Sequence, residues 1–218
     1  MTTAVDVSDL GRLVDENGPF LSVYLPTEGI VAQWANLRRE LVADGPPESA
    51  LGLIDSLVAH MGDRIGTLAV IASASQVLVE EYLTEPFLFS RGGWSTSPDV
   101  VPIIKDRQER GAEEIEDDDK RRTVKTDVAE ETVALLERFK SDRGHVADGI
   151  EATVAALQRS EVDVLLVRDD RDERRDVPRE DAAVIDALVR DAIATGASVR
   201  VIPASGPVTD GVGALLRP

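Results

Sequence analysis

Between Val162 and Val167 five of six residues are apolar, interrupted only by Asp163. The unbroken succession Val164–Val167 suits a strand covered on both faces, in a parallel or mixed sheet. Ahead of it, Ile150, Val154 and Leu157 fall at i, i+4 and i+7, one face of an α-helix. A helix over Val146–Arg159 is therefore expected, with Ala147, Ala152, Ala155 and Ala156 letting it approach its neighbour closely. A helix feeding a central strand demands further helices to cover the sheet, which makes the chain α/β.

At 218 residues there is room for one large or two small domains. Aromatics are only 4% of the chain, so its cores are built from Val, Leu, Ala and Ile. The absence of cysteine excludes disulfides, thiolate metal sites and cysteine nucleophiles. No apolar run reaches the ~20 residues of a membrane span. The first residues have neither the basic start nor the apolar core of a signal peptide, and a soluble cytoplasmic protein is expected. The formal net charge is −17, with 41 acids against 24 bases. A surface that acidic repels nucleic acid on average, although a local basic patch can still bind it.

Taken in order, Asp6–Asp15 reads as a short helix with Ser8 as its N-cap. Phe20–Leu25 is a strand ended by Pro26. A helix over Val31–Ala43 is expected to turn Val31, Ala35, Leu37, Leu41 and Val42 inward. Gly45-Pro46-Pro47 ends it, and a second helix covers Glu48–Met61 through Leu51, Ile54, Leu57 and Val58. Gly66–Ala72 is a buried strand, and Gln76–Leu83 pairs back on it after the Ser73–Ser75 turn. Ser90–Asp99 reads as a loop, and Val100–Ile104 as a strand or a turn of helix. Almost every residue from Arg107 to Lys125 is charged, which marks a junction rather than a packed core. Helical periodicity resumes over Lys120–Phe139 through Val124, Val128, Val133, Leu136 and Phe139. After the Val162–Val167 strand come a helix over Asp181–Ala194 with Gly196 as its C′ residue, a strand over Ser198–Ile202, and a last strand within Gly211–Arg217. The domains expected are a small N-terminal α/β domain with a mixed sheet over 1–105, a charged junction over 106–122, and a C-terminal α/β/α sandwich over 123–218.

No catalytic constellation is visible. His60 and His145 are the only histidines and have no partners at ligand spacing. Asp117-Asp118-Asp119 lacks the alternation and Gly of a calcium loop. Gly211-Val212-Gly213 lacks the third Gly and following helix of a dinucleotide site, and there is no GxSxG elbow. No cofactor, metal or catalytic residue is expected. Two cationic segments stand out. Lys120, Arg121 and Arg122, with Lys125, open a helix, where cations oppose the dipole. Arg168, Arg171, Arg174, Arg175 and Arg179 follow a strand end, where open α/β sheets place ligand contacts. Acids interleave both segments, so self-paired surface charge is the competing reading.

One further pattern is shared. Gly149-Ile150, Ala156-Leu157 and the Val162-Asp163-Val164-Leu165-Leu166-Val167 strand resemble the third domain of the archaeo-eukaryotic class I release factor and Pelota superfamily. The closing Asp210–Arg217 segment, the opening Gly18–Tyr24 segment, and Gln76–Val79 with Val100-Val101-Pro102 resemble its bacterial branch, which includes the ribosome-hibernation factor Balon. Members carry a middle domain that approaches the peptidyl-transferase centre. None fits here between Arg107 and Lys120, and the only Gly-Gly, Gly92-Gly93, precedes Trp94 rather than Gln. The resemblance implies a non-enzymatic, ribosome-associated translation factor, acting in hibernation or stress by occupying the decoding site. It implies contacts with rRNA, ribosomal proteins and a translational GTPase such as elongation factor Tu. On that reading Lys120, Arg121, Arg122, Arg168, Arg171, Arg174 and Arg175 are the candidate partner or rRNA contacts. The alternatives are a stand-alone interaction or dimerisation module and, ranked below it, a peptidyl-tRNA hydrolase.

Overall fold

The computed structural model describes residues 8–62, 65–84, 86–110, 118–142, 144–169 and 179–218, with backbone only at 8–9, 44, 118–128 and 179–182. The chain is α/β and divides into two compact units. Asp15–Asp99 forms the N-terminal unit, and Val100–Pro218 forms the C-terminal unit together with the described residues up to Val14.

The N-terminal unit is an antiparallel sheet in the order β3-β2-β1-β4, built from β1 (Phe20–Pro26), β2 (Thr67–Ala72), β3 (Val77–Leu83) and β4 (Arg91–Ser95). The two central strands are buried at every position, which accounts for their unbroken apolar runs. Helices α2 (Ile30–Asp44) and α3 (Glu48–Ala59) supply Ile30, Trp34, Leu37, Leu41, Leu51, Ile54 and Val58 to a core with Leu21, Val23, Leu25, Leu68 and Val70 of the sheet. The buried stripe of α2 is thus not the expected one, since Val31, Ala35 and Val42 face outward. Trp34 takes the inward place because its indole N–H donates to Asp55 Oδ1 of α3 at 2.6 Å, satisfying the ring's one polar group.

The expected loop over Ser90–Asp99 contains strand β4, paired with β1 from Phe20↔Ser95 to Tyr24↔Arg91. Its glycines hide it from propensity. A Cβ at Gly92 would lie 2.9 Å from Ser22 O and 3.3 Å from Leu37 Cδ2, so the close seating of α2 needs the missing side chain.

In the C-terminal unit, β5 (Val146–Asp148), β8 (Val212–Leu216), β6 (Val162–Arg168) and β7 (Ser198–Ile202) lie in that spatial order. β6 is antiparallel to β8 and parallel to β7, the mixed sheet its composition demands. Register shifts between Val162 and Val164, so Asp163, the one polar residue of the run, is the extra residue of a bulge. Helix α5 (Asp118–Ser141) covers one face, where Leu135, Leu136 and Phe139 pack on Val164, Leu166, Ile202 and Leu215. Its Val133 is exposed. Val124 and Val128 fall where only backbone is described. Helices α6 (Ile150–Gln158) and α7 (Arg179–Ala194) pack on the sheet and on each other. The expected helix over Val146–Arg159 is corrected here. Val146–Asp148 is the edge strand β5, and the helix begins only after Gly149, whose φ of 83° a side chain rarely adopts. At the other end of α7, Gly196 closes the helix at φ 69°, with Gly196 N–H on Ile193 O and Ala197 N–H on Ala192 O.

Two features were not legible in the pattern. The expected helix over Asp6–Asp15 is a 3-10 turn, Ser8–Gly11, running into α1 (Arg12–Asp15); the turn packs on α7, Leu10 is fully buried, and Arg190 donates to Val14 O at 3.2 Å. In addition, α4 (Val101–Arg110) carries the first part of the charged run into packed structure, correcting the junction expected from residue 106. Gln108 lies buried beside β7, donating Nε2–H to Val201 O at 3.2 Å and accepting Val201 N–H on Oε1 at 2.7 Å. Its amide stands in for one residue of a neighbouring strand. Replacing Gln108 by Leu leaves both backbone groups unpartnered, which costs about 1–3 kcal/mol. Urea unfolding is expected to show that loss, and amide exchange at Val201 is expected to accelerate.

Candidate functional site

The C-terminal end of the parallel pair β6/β7 is where open α/β sheets place ligand contacts, and Arg168, Asp169 and Lys105 lie at that end. Arg168 is the last residue of β6, in register with Ile202. Asp169 continues the ladder, its N–H donating to Ile202 O at 2.7 Å. The Asp169 carboxylate receives Lys105 Nζ of α4 at 2.5 Å, both side chains being mostly buried. Lys105 also lies 3.6 Å from Glu109, one turn along. Beyond Ile202 the chain turns tightly, with Gly206 N–H on Pro203 O at 2.8 Å. A Cβ at Gly206 would lie 2.6 Å from Ile202 Cδ1, so glycine is needed for the close turn. Arg168 Nη1 reaches Val208 O at 3.4 Å, tying the strand end to the far side of that turn.

Of the residues expected as partner contacts, only Arg168 has a described side chain, and it is half-buried against its own unit. Lys120, Arg121 and Arg122 are placed by their backbone in the first turns of α5, after Asp118-Asp119. Arg171, Arg174 and Arg175 lie outside the described residues. No described geometry brings these cations together. Lys105 and Asp169 were missed because the run around Lys105 reads as strand or turn, and their pairing joins positions 64 residues apart.

The motifs that carried the resemblance do converge. Asp148 accepts Thr209 N–H on Oδ1 at 2.7 Å and Thr209 Oγ1–H on Oδ2 at 2.9 Å. Gly149 N–H donates to Val212 O at 3.0 Å, and a Cβ there would lie 3.0 Å from Asp210 Oδ2. Gly213 in turn faces the Phe139 ring, which a Cβ would approach to 2.8 Å. Gly149 and the Asp210–Leu216 segment are thus one corner of one unit, and their glycines serve close packing rather than a phosphate cradle.

Neither histidine faces a nucleophile. His60 is the C-cap residue of α3, with Nδ1 2.7 Å from Ser56 O, as a cation-compatible helix end requires. His145 Nδ1 lies 3.1 Å from Asp142 Oδ1, and this hydrogen bond holds the exposed Asp142 carboxyl below the ordinary carboxylate range. Among the described residues no group of three His, Cys, Asp or Glu side chains is placed to hold a metal ion. No helix among them is long and apolar enough to cross a membrane.

No family model matches the chain, and no curated protein does. Solved structures do. An archaeal translation termination factor, aRF1, is 11% identical over 95% of this chain and 96% of its own, with a TM-score of 0.33. A chain of the ribosome-bound archaeal Pelota and ABCE1 assembly is 23% identical over 52% of this chain, with a TM-score of 0.33, and Pelota from Archaeoglobus fulgidus is 17% identical over 69%, with a TM-score of 0.30. This chain spans 31% and 60% of the length of those two.

A lowered native pKa means that Asp142 contributes stability above the ordinary carboxylate pKa and loses it as pH falls through the lowered value. His145→Ala is expected to return the Asp142 titration upward toward the usual range, read by carboxyl-carbon NMR against pH. An unmoved midpoint would assign the shift to another group.

Proposed function

We propose that the protein is a ribosome-associated translation factor of the release-factor and Pelota type, working in the cytoplasm during hibernation or stress by occupying the decoding site rather than by covalent chemistry. One observation carries this reading. The resembling segments Gly149-Ile150, Ala156-Leu157 and Val162–Val167 form α6 and the strand after it, and Asp210–Arg217, some 43 residues further on, returns to pair with that strand and to close on Gly149. This long-range return of the last segment is what supports the reading.

On this reading, Arg168 and the cations that follow β6, together with Lys120, Arg121 and Arg122 at the start of α5, supply the phosphate contacts. The acidity of the remaining surface suits basic ribosomal proteins or a translational GTPase. The chain is expected to sediment with ribosomes at low salt and to dissociate as salt rises. Replacing Lys120, Arg121 and Arg122 together by Ala is expected to flatten the slope of log K against log salt by about 2–3, since each phosphate contact contributes just under one unit. Failure to sediment at low salt, with and without the GTPase, overturns the reading. Hydrolysis of peptidyl-tRNA by the purified chain overturns its non-enzymatic part.

A further inference from the structure

The N-terminal unit exposes apolar side chains at one end of its sheet. Ile65 is 93% exposed, Leu88 84%, Val31 66% and Phe89 61%. Their neighbours in the chain are tied together at that end. Thr27, one residue past β1, donates its N–H to Gly66 O at 3.0 Å, which brings the segment before α2 beside Ile65. Phe87 donates its N–H to Thr67 Oγ1 at 2.8 Å and stacks on Tyr24 at 5.5 Å between ring centroids. That anchors the connection carrying Leu88 and Phe89, which must cross from β3 at one edge of the sheet to β4 at the other. Val31 opens α2 at the same end, two residues after Gly29. Exposed apolar side chains scattered singly need no explanation, but several gathered at one end of a unit mark an interaction surface.

Charge decides what fits there. Residues 15–99 contain twelve acids, four arginines and no lysine. Arg38 is held by Glu48 and Asp55, Arg39 by Ala35 O and Asn36, and Arg91 by Asp99 beneath the Tyr24 and Phe87 rings; Arg64, the fourth, lies outside the described residues and is outnumbered by the twelve acids. Exposed Glu28 flanks the apolar residues. A unit of this composition repels phosphate and repels its own copy, and it attracts a basic chain. We propose that this end of the N-terminal unit docks a Lys/Arg-rich polypeptide segment that presents an apolar side chain to Ile65, Leu88 and Phe89 while its cations meet the surrounding acids. The proposal does not depend on ribosome association.

The test is fluorescence anisotropy on the whole chain with two labelled probes, a Lys-rich peptide bearing leucines and the same peptide with serines in their place, alongside a single-stranded RNA oligomer. The leucine peptide is expected to bind, the serine peptide about tenfold more weakly, and the RNA not at all. The I65S/L88S/F89S chain is expected to lose about tenfold toward the leucine peptide with its thermal melt unchanged, because the three side chains are exposed. Glu28→Lys, which leaves the apolar residues in place, is expected to weaken binding in a salt-dependent way and serves if the triple variant fails to fold. Equal affinity for the two peptides, an unaffected triple variant, preference for RNA, or a homodimer that the triple variant abolishes would each overturn the proposal. No ribosome is present in this assay, so its failure is read separately from a failure to sediment.

Discussion

The C-terminal unit depends on how its sheet ends. β6 has a partner on each side, but β7 lies at an edge, and an edge strand presents unpaired N–H and C=O groups to any chain that can pair with them. Here α4 is laid along that edge, and Gln108 gives Val201 both the acceptor and the donor that a further strand would have given. The Lys105–Asp169 ion pair fixes the same helix to the end of β6. On the α5 face, buried Arg200 reaches Glu131 at 2.6 Å. Breaking one member of a buried pair is costly because the other charge is stranded, so this pair restricts how α5 slides on the sheet. Three polar contacts thus fix elements that apolar packing alone would leave free to shift.

Much of this fold was legible where burial writes a period into the sequence. β1, β2, β6 and β7 were placed to within a residue, because strands buried on both faces show as mostly apolar runs of β-formers. The errors have a common origin in contacts between distant residues. β4 is hidden by Gly92 and Gly93, the first of which admits Leu37 of α2. β5 is hidden because Val146–Asp148 continues into a helix-like pattern until Gly149 breaks it. The inward stripe of α2 was shifted because it turns on Trp34, whose burial depends on Asp55 in the next helix. Gln108 reads as part of a solvated charge run because nothing local says that Val201, 93 residues on, will pair with it.

The candidate site was less legible for a different reason. A strand end followed by arginines is visible in any sequence, but what its first arginine does depends on the turn 40 residues later. In the fold, Arg168 points back to Val208 O, and Lys105 occupies the carboxylate of Asp169. The positions that follow, Arg171, Arg174 and Arg175, fall outside the described residues. The short motifs at Gly149-Ile150 and Asp210–Arg217 were legible in the sequence because they are packing requirements. Gly149, Gly213 and the small residues around them permit one close corner, and such requirements persist in a fold independently of what its surface binds.

Surface charge differs between the two units. All four lysines lie beyond residue 104, and the described arginines of residues 15–99 are held by acids, backbone and rings of their own unit. Phosphate contacts need cations with their charge turned outward. The C-terminal unit has sequence positions where such cations can be sought, whereas the N-terminal unit exposes Ile65, Leu88 and Phe89 beside the exposed Glu28.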